Sequence, residues 1–184
     1  HAAAAAEGVL AAYTIADLKA DGLQPMPFPP LFKRGDGSPM AAPPRHALAD
    51  GTAFYAGQPV AAVVARTREQ AQDAIELVSV EYEELPAVTD VFAAGAQGAP
   101  TLWSQAPGNV SAEGRIGDAA KCDAAFAAAH RVAKVSLDNQ RLIAMALEPR
   151  CSIGVHEGAR CTLYTQSQTP SGTRQGLADV FKRK

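Results

Sequence analysis

Histidine and cysteine, the side chains that most often ligate metals, form no ligand pattern in this sequence. No two histidines lie four residues apart with a third ligand nearby, so a metal site built on them is not expected. No cysteines form a Cys-x-x-Cys pair, which argues against a zinc or an iron–sulfur site. Cys151 and Cys161 are spaced to face each other across a hairpin, but small buried side chains are the favoured interpretation. The residues considered are His1, His46, His130, His156, Cys122, Cys151 and Cys161.

Patterns for nucleophilic, phosphate-binding and acid–base chemistry are also incomplete. No serine lies in a Gly-x-Ser-x-Gly elbow, and Gly35-Asp36-Gly37 is an isolated turn rather than a strand-to-helix phosphate loop. Glu81-Tyr82-Glu83-Glu84 is interpreted as a solvated strand end rather than an acid–base pair. Glu148 and Arg150 flank a proline, and a buried or interdomain ion pair that fixes a turn is favoured over catalysis. The residues alone therefore present no complete catalytic constellation.

Composition and charge narrow the classes of function. The chain has 184 residues, 47% of them apolar and 20% charged, with a formal net charge of −2. This is the balance of an ordinary globular protein, without the basic field that attracts nucleic acid or an anionic membrane. No apolar run reaches the roughly 18 residues that a membrane helix needs, and the N-terminus lacks a signal-peptide pattern. Without an initiating Met, the chain is expected to be an excised or truncated piece of a longer protein.

The N-terminal residues predict a strand, a short helix and a long irregular loop. Val9-Leu10-Ala11-Ala12-Tyr13 is apolar and short, as in a strand. Thr14 with Asp17 predicts a helix N-cap followed by an acidic first turn. Gly22 is expected to end that helix. Residues 23–50 contain seven prolines, each of which fixes φ and removes an amide donor, so regular structure is not expected there.

The next residues predict the core of the fold, a strand–helix–strand unit. Residues 59–65 are almost all Val and Ala, which predicts a strand buried on both faces. Thr67 begins a helix that runs to Val78, and Gln70 is expected to complete a capping box. The residues that follow, as far as Tyr82, alternate between apolar and polar, which is typical of a half-buried strand.

Beyond this unit the chain predicts a junction and then a second set of elements. Residues 92–108 are rich in Ala, Gly and Pro and form the candidate domain junction. An alanine-rich helix over 118–130 is expected to begin at a capping aspartate. A strand over 132–137 and a hairpin around Glu157-Gly158 follow. A last helix is predicted over 171–181, so the fold class is α/β, with helices and strands mixed along the chain.

Several segments, in this order, resemble the large subunit of molybdenum hydroxylases, a family that includes aldehyde oxidases, xanthine dehydrogenases and aerobic carbon monoxide dehydrogenases. Each segment alone is weakly specific, but their order and spacing over nearly the whole chain make the joint resemblance strong. The segments are Gly57-Gln58-Pro59-Val60-Ala61, Val80-Glu81-Tyr82, Ala106-Pro107-Gly108-Asn109-Val110, Gly117-Asp118, Ala124-Ala125-Phe126, Asn139-Gln140-Arg141, Leu147-Glu148-Pro149-Arg150 and Thr165-x-x-Gln168-x-Pro170.

The resemblance implies an α/β (α+β) fold with two domains and one site residue. The family's α/β hammerhead domain is expected over residues 1–98, and the first part of its molybdopterin-binding domain over 99–184. The family's glutamine in the Thr-x-x-Gln-x-Pro segment approaches the molybdenum and donates a hydrogen bond to an oxo ligand. Gln168 is therefore expected to be a catalytic and cofactor-binding residue. The alternative role for Gln168 is to cap the last helix or to satisfy a strand end. No metal ligand is expected.

The resemblance also implies an activity for the parent protein. It would be an oxidoreductase that uses water as its oxygen source and passes electrons to iron–sulfur and FAD subunits or domains. Aldehydes, purines, other N-heterocycles and carbon monoxide all remain open as the small-molecule substrate. The cytoplasm is the expected location, and the periplasm is not excluded.

The cofactor is expected in the full-length subunit and not in this chain alone. The family's glycine-rich cofactor segment and its C-terminal glutamate base have no counterpart in these residues. The isolated chain is therefore expected to be inactive and free of molybdopterin. The alternative function is a non-catalytic interaction or scaffold domain that retains the hammerhead fold.

Overall fold

The computed structural model describes residues 2–140 and 147–183, and Arg141 of the Asn-Gln-Arg segment lies outside them. The chain forms two compact units. Unit 1 comprises residues 1–114 and 171–184, and unit 2 comprises residues 115–170. The boundary expected between residues 98 and 99 separates the two domains of the family. It is a different division from these two compact units, and it stays a prediction.

Helices and small antiparallel sheets alternate along the chain, so the fold is α+β. Short 3₁₀ turns lie at Ala3–Ala5 and Pro107–Asn109. In chain order the elements are β1 (Val9–Tyr13), α1 (Ile15–Ala20), β2 (Ala62–Ala65), α2 (Arg68–Glu76), α3 (Val91–Ala94), α4 (Ala119–Ala128), β3 (Ser152–Glu157), β4 (Arg160–Thr165) and α5 (Pro170–Val180). None of the helices in the described part of the chain has both the length and the apolar character needed to cross a membrane.

The sheet of unit 1 consists of β1 and β2. The strands are antiparallel, and the register runs from Val9 opposite Ala65 to Tyr13 opposite Ala62, with an irregularity after Val9. β1 has the predicted bounds. β2 begins three residues later than predicted, because residues 59–61 lie outside its pairing with β1; Pro59, in addition, has no amide hydrogen to donate. The carbonyl oxygen of Pro59 instead accepts a hydrogen bond from Ala49 N at 2.8 Å.

The two N-terminal helix caps form where the sequence predicts them. Thr14 and Asp17 make a reciprocal capping box at the start of α1. Thr67 Oγ1 accepts a hydrogen bond from Gln70 N at 3.2 Å at the start of α2. The second half of that predicted box is wrong, because Gln70 Oε1 is buried without a hydrogen-bond partner in the described structure. The Gln70 side chain lies against Gly8, which adopts a φ of 75°.

Burial around β2 is one-sided, so the prediction of a strand buried on both faces is wrong. α2 packs against β2, and Ala74 on that helix is fully buried. Val63 is only half-buried and Val64 is 45% exposed, because alternate side chains of the strand point away from α2. A sheet that a helix covers on one side only has one buried face and one face exposed to solvent. The continuous Val and Ala run therefore overstated the burial of this strand.

Two further segments predicted as strands are not strands. Residues 78–82 and 132–137 are neither helical nor paired with another described strand. Val80 is 41% exposed and Tyr82 67%, while Val135 is 79% exposed and Leu137 86%. The alternation of side chains is present, but a strand also needs a neighbouring backbone to pair with. Both predictions are therefore corrected to unpaired segments.

The proline-rich loop and the predicted junction are held together within unit 1. The loop contains no helix or longer strand, as predicted, and has isolated bridges at Met26–Arg45 and Lys33–Pro39. Arg34 Nη2 of the loop donates to Gln105 O in the junction. Three residues beyond the junction, Ala41 N donates to Ser111 O at 2.9 Å, and Ser111 Oγ donates back to Ala41 O at 2.7 Å. The two segments also share the small buried core. That core consists of Ala3, Ala41, Leu48, Ala74, Ala106 and Val180.

Unit 2 contains α4 and the hairpin of β3 and β4. Asp118 Oδ1 accepts a hydrogen bond from Lys121 N at 3.0 Å, which confirms the predicted cap of α4. The hairpin has the predicted place, with Glu157 opposite Arg160. Gly158 takes the first position of the two-residue turn with a φ of 58°, where a type II′ turn favours glycine.

The last helix begins in unit 2 and belongs to unit 1. α5 agrees with the predicted final helix to within a residue at each end. Its residue Val180 is 9% exposed and accepts a hydrogen bond from Gln24 N at 2.9 Å. Unit 2 is therefore an insertion between two parts of unit 1.

Candidate functional site

Gln168 lies in the four-residue connection between β4 and α5, two residues before Pro170 starts the helix. Its side chain is exposed and makes no hydrogen bond to another described residue. The backbone beside it is ordered, because Thr169 N donates to Ser167 Oγ at 3.1 Å. The structure therefore presents the Gln168 amide, with one acceptor and two donor positions, to solvent.

Gln166, the other glutamine of this connection, is engaged. Its Nε2 donates to Glu148 Oε1 at 2.6 Å. The expected ion pair between Glu148 and Arg150 is wrong, since no such pair forms among the described residues and both side chains are exposed. The Glu148 carboxylate instead accepts its hydrogen bond from the side-chain amide of Gln166. The sequence did not indicate this contact, because the two residues are 18 positions apart.

The open end of the hairpin fixes the position at which the Gln168 connection begins. Ser152 and Thr165 are opposite each other in the register of β3 and β4. Their hydroxyl oxygens lie 2.7 Å apart and share a hydrogen bond. Together with the Gln166–Glu148 contact, this bond holds the segment that leaves β4. The two contacts leave Gln168 three residues beyond the anchored end of β4 at Thr165.

The cysteines do not come together. Cys122, Cys151 and Cys161 are all exposed and form no disulfide within the described structure, which contradicts the interpretation that they are small buried side chains. Cys161 lies opposite His156 in the hairpin, and Cys151 precedes β3, so the two cysteines do not face each other. Within residues 2–140 and 147–183, no three His, Cys, Asp or Glu side chains are grouped closely enough to hold a metal ion.

Two of the segments that carry the family resemblance close turns in unit 1. Gln58 Oε1 accepts a hydrogen bond from Phe54 N at 2.7 Å and so closes the loop before β2. Asn109 has a left-handed φ of 57° and uses both ends of its amide. Its Oδ1 accepts from Leu102 N at 2.9 Å, and its Nδ2 donates to the carbonyl oxygens of Ala94 and Pro100 at 2.9 and 2.8 Å. These residues shape the backbone.

A charged cluster at the end of α1 was not predicted from the sequence. Lys19 Nζ lies 2.6 Å from Asp50 Oδ2, and His46 Nε2 lies 3.6 Å from the same oxygen. The hydrogen bond from Lys19 lowers the pKa of the Asp50 carboxyl. The cluster ties the helix to the end of the proline-rich loop. Its carboxylate is already paired, so we assign it a structural role.

An open, largely apolar cavity of about 940 Å³ lies in unit 2. It lies beside the unpaired segment 132–137. The lining residues are Phe126, Val132, Ala133, Lys134, Val135 and Ser136.

Comparison with known families matches nearly the whole chain. The sequence pattern of the aldehyde oxidase and xanthine dehydrogenase a/b hammerhead domain matches residues 1–86. The pattern of the molybdopterin cofactor-binding domain matches residues 102–184. The two matches follow each other in the order that the sequence predicts, and they leave residues 87–101 between them.

Individual proteins with similar sequences support the same family. The carbon monoxide dehydrogenase large chain of Afipia carboxidovorans is 36% identical over 79% of this chain and 18% of its own length. The nicotine 6-hydroxylase large subunit of Paenarthrobacter nicotinovorans is 33% identical over 71% of this chain and 16% of its own. The 6-hydroxypseudooxynicotine dehydrogenase complex subunit gamma of the same organism is 38% identical over 64% and 14%. The chain thus spans less than a fifth of the length of these relatives.

Proposed function

This chain belongs to the molybdenum hydroxylase large-subunit family, and we propose that it serves a molybdenum-dependent oxidoreductase by supplying the hammerhead domain and the first part of the molybdopterin-binding domain. The observation that carries the proposal is the ordered pair of domain matches over residues 1–86 and 102–184. The relatives that match across both regions are large subunits or chains of such enzymes by name.

The reaction proposed for the complete protein is oxidation of a small molecule with water as the source of oxygen. The molybdenum cofactor supplies the two-electron redox chemistry when it is bound. The named relatives act on carbon monoxide and on nicotine-derived compounds, which supports a small-molecule substrate for this chain as well. Aldehydes, purines, other N-heterocycles and carbon monoxide are the classes that the family resemblance allows.

Within this chain, Gln168 is the residue that we propose contacts the cofactor. Its exposed amide has no partner among the described residues, so its chemistry fits a hydrogen bond to an oxygen ligand. A donor held near an oxygen that gains negative charge in the transition state lowers the barrier of the reaction. Gln166 is the less suitable candidate, because its amide already donates to Glu148.

The proposed partners are iron–sulfur and FAD subunits or domains that carry electrons away from the cofactor. A relative named as the gamma subunit of a dehydrogenase complex supports assembly with other subunits. The three cysteines of this chain are exposed and do not come together in the described structure, so we assign iron–sulfur ligation to the partners rather than to this chain.

The experiment uses the polypeptide encoded by the complete reading frame, purified with the proteins that accompany it. We expect stoichiometric molybdenum by elemental analysis and oxidation of one of the substrate classes above. A complete polypeptide that contains no molybdenum and oxidises none of them would favour the alternative, a non-catalytic interaction domain. The 184-residue chain alone is expected to contain neither molybdenum nor iron.

The role of Gln168 is tested in the same preparation. We expect Gln168→Ala to leave the molybdenum content close to that of the wild type and to lower the turnover number by about 10- to 1000-fold. Gln72→Ala is the control, since it removes an equal amide that lies exposed on α2, outside the connection between β4 and α5. Unchanged turnover in Gln168→Ala would remove this residue from the site without touching the family assignment.

A further inference from the structure

The backbone ladder of the hairpin in unit 2 stops short of Gln168. Pairing between β3 and β4 ends where Ser152 lies opposite Thr165. Continuing the same register would place Pro149 opposite Gln168. Pro149 has no amide hydrogen, so it has no backbone hydrogen bond to donate at this position. Contacts other than the ladder therefore set the position of Gln168 in the connection between β4 and α5.

One such contact is the hydrogen bond from Gln166 Nε2 to Glu148 Oε1, which is 2.6 Å long. A carboxylate only accepts hydrogen bonds, so the Gln166 amide has to turn its NH2 group towards Glu148. A hydrogen bond to a charged acceptor is also shorter and stronger than one between neutral groups. The Gln166 side chain is thus held in one orientation, two residues before Gln168.

Two prolines restrict the backbone near this contact. Glu148 and Thr169 each precede a proline, and a residue in that position has few backbone conformations open to it. Thr169 N also donates to Ser167 Oγ at 3.1 Å, inside the connection. The residues on either side of Gln168 are therefore restrained, while the Gln168 side chain itself is exposed.

The bond between Glu148 and Gln166 lies beyond the last pair of the ladder, on the side of Gln168. That last pair is already closed by the hydroxyl groups of Ser152 and Thr165, whose oxygens are 2.7 Å apart. Loss of the Glu148 carboxylate is therefore expected to loosen the connection and to leave the ladder in place.

We propose that Glu148 is a positioning residue for the molybdenum-dependent reaction, and that it fixes Gln168 through its hydrogen bond with Gln166. This role rests on the proposed function, because it requires Gln168 to contact the cofactor. A side chain that acts on a reacting group has to be held to within about 0.5 Å, and contacts behind that side chain provide the precision. The effect of Glu148 passes through Gln166 and needs no contact between Glu148 and the cofactor.

The test uses the polypeptide encoded by the complete reading frame, purified with the proteins that accompany it. Glu148→Ala is expected to keep the molybdenum content and KM close to those of the wild type and to lower the turnover number by about 10-fold. Glu148→Gln retains an acceptor oxygen at the same place along the side chain, so it is expected to keep most of the turnover. Equal losses in these two variants would overturn the proposal, and so would wild-type turnover in Glu148→Ala.

Glu157→Ala is the matched control, because it removes a carboxylate from the turn end of the same hairpin. It is expected to turn over like the wild type. A loss as large as that of Glu148→Ala would mean that any weakening of the hairpin slows the reaction, which contradicts a specific role for Glu148.

Gln166→Ala breaks the same hydrogen bond from the donor side. It is expected to match Glu148→Ala, and the double variant Glu148→Ala/Gln166→Ala should be no slower than either single variant, because one bond is lost only once. Wild-type turnover in Gln166→Ala would show that Glu148 does not act through Gln166 and would overturn the proposal.

A double-mutant cycle with Gln168→Ala separates positioning from general stability. When Glu148 acts only through Gln168, adding Glu148→Ala to a protein that already carries Gln168→Ala should cause no further loss of turnover. A further loss of the same size as in Glu148→Ala alone would show that the two residues act independently, against the proposal.

Amide hydrogen exchange provides a measurement that does not depend on turnover. In Glu148→Ala, exchange over residues 166–169 is expected to be faster than in the wild type, while exchange within β3 and β4 stays the same. Unchanged exchange over residues 166–169 would overturn the proposal. A wild type without molybdenum or activity would refute the proposed function and this role together, whereas an active wild type matched by Glu148→Ala would refute this role alone.

Discussion

The indole ring of Trp103 stacks on the phenyl ring of Phe54, with the ring centroids 3.7 Å apart and the planes inclined by 18°. Trp103 belongs to the segment predicted as a domain junction, and Phe54 precedes β2. The contact therefore fixes the junction segment to the body of unit 1. Because Trp103 is the sole tryptophan of the chain, its fluorescence reports on this contact alone.

Phe54→Leu is expected to remove the stacking while keeping an apolar side chain. Aromatic pairs contribute about 1 kcal/mol beyond the area that they bury, so the free energy of unfolding should fall by about that amount. The Trp103 emission should shift to longer wavelength as the indole gains contact with water. Phe92→Leu is the control, because Phe92 is 88% exposed. An unchanged emission spectrum in Phe54→Leu would contradict the stacked arrangement.

Asn109→Ala is expected to destabilise unit 1 by about 3 kcal/mol, since it removes three hydrogen bonds and places a side chain with a Cβ at a left-handed φ that asparagine tolerates better. Asn109→Gly loses the same bonds but accepts the φ of 57° without strain. We therefore expect the glycine variant to be the more stable of the two by urea denaturation. Equal stability would indicate that the backbone conformation at this position carries no strain.

Ala74→Asp is expected to unfold unit 1, whereas Val64→Asp is expected to be tolerated. Ala74 is fully buried between α2 and the sheet, and an unpaired carboxylate there costs several kcal/mol, on the order of the stability of a small domain. Val64 is 45% exposed and points away from the helix. Thermal unfolding followed by circular dichroism compares the two. A strongly destabilised Val64→Asp would mean that this face of β2 is covered after all.

The stability of unit 1 is expected to fall in acid, below about pH 4, partly through Asp17. The backbone amide of Thr14, and then its hydroxyl group, donate to the Asp17 carboxylate and lower its pKa below the ordinary value of 3.8. A carboxyl with a lowered pKa in the folded state stabilises the fold above its unfolded pKa. That stabilisation is lost as the pH falls through the folded pKa.

Asp17→Asn should accordingly reduce the loss of stability below the ordinary pKa of 3.8, as measured by urea denaturation across acidic pH. Glu7→Gln serves as the control, because Glu7 is exposed and makes no hydrogen bond to a described residue. If Asp17→Asn followed the acid profile of the wild type, the capping box would not be the source of this pH dependence.

Local signals in the sequence predicted local structure well. Thr14, Thr67 and Asp118 each begin a helix, and Gly158 occupies the hairpin turn, because caps and turns depend on residues within four positions of one another. Long-range contacts were not predictable from one sequence. Asn109 reaches Ala94, and Lys19 reaches Asp50 across 31 positions, without a pattern that marks either pair.

The two wrong strand predictions have the same physical cause. Alternating side chains define which face of a segment is apolar, but a strand forms only where a second backbone accepts its hydrogen bonds. Residues 78–82 and 132–137 have the alternation and lack that neighbour in the described structure. For the candidate site, the sequence identified Gln168 through family resemblance. The engagement of Gln166 with Glu148 became visible only in three dimensions.

The return of α5 to unit 1 has a consequence for synthesis on the ribosome. Val180 closes unit 1 through its hydrogen bond with Gln24, and the two residues are separated by the whole of unit 2. The first 114 residues leave the ribosome long before their last helix exists, so unit 1 cannot finish folding during that interval. The hydrogen bond between Gln24 and Val180 cannot form until α5 has emerged, and the speed of translation through unit 2 sets how long the proline-rich loop waits for it.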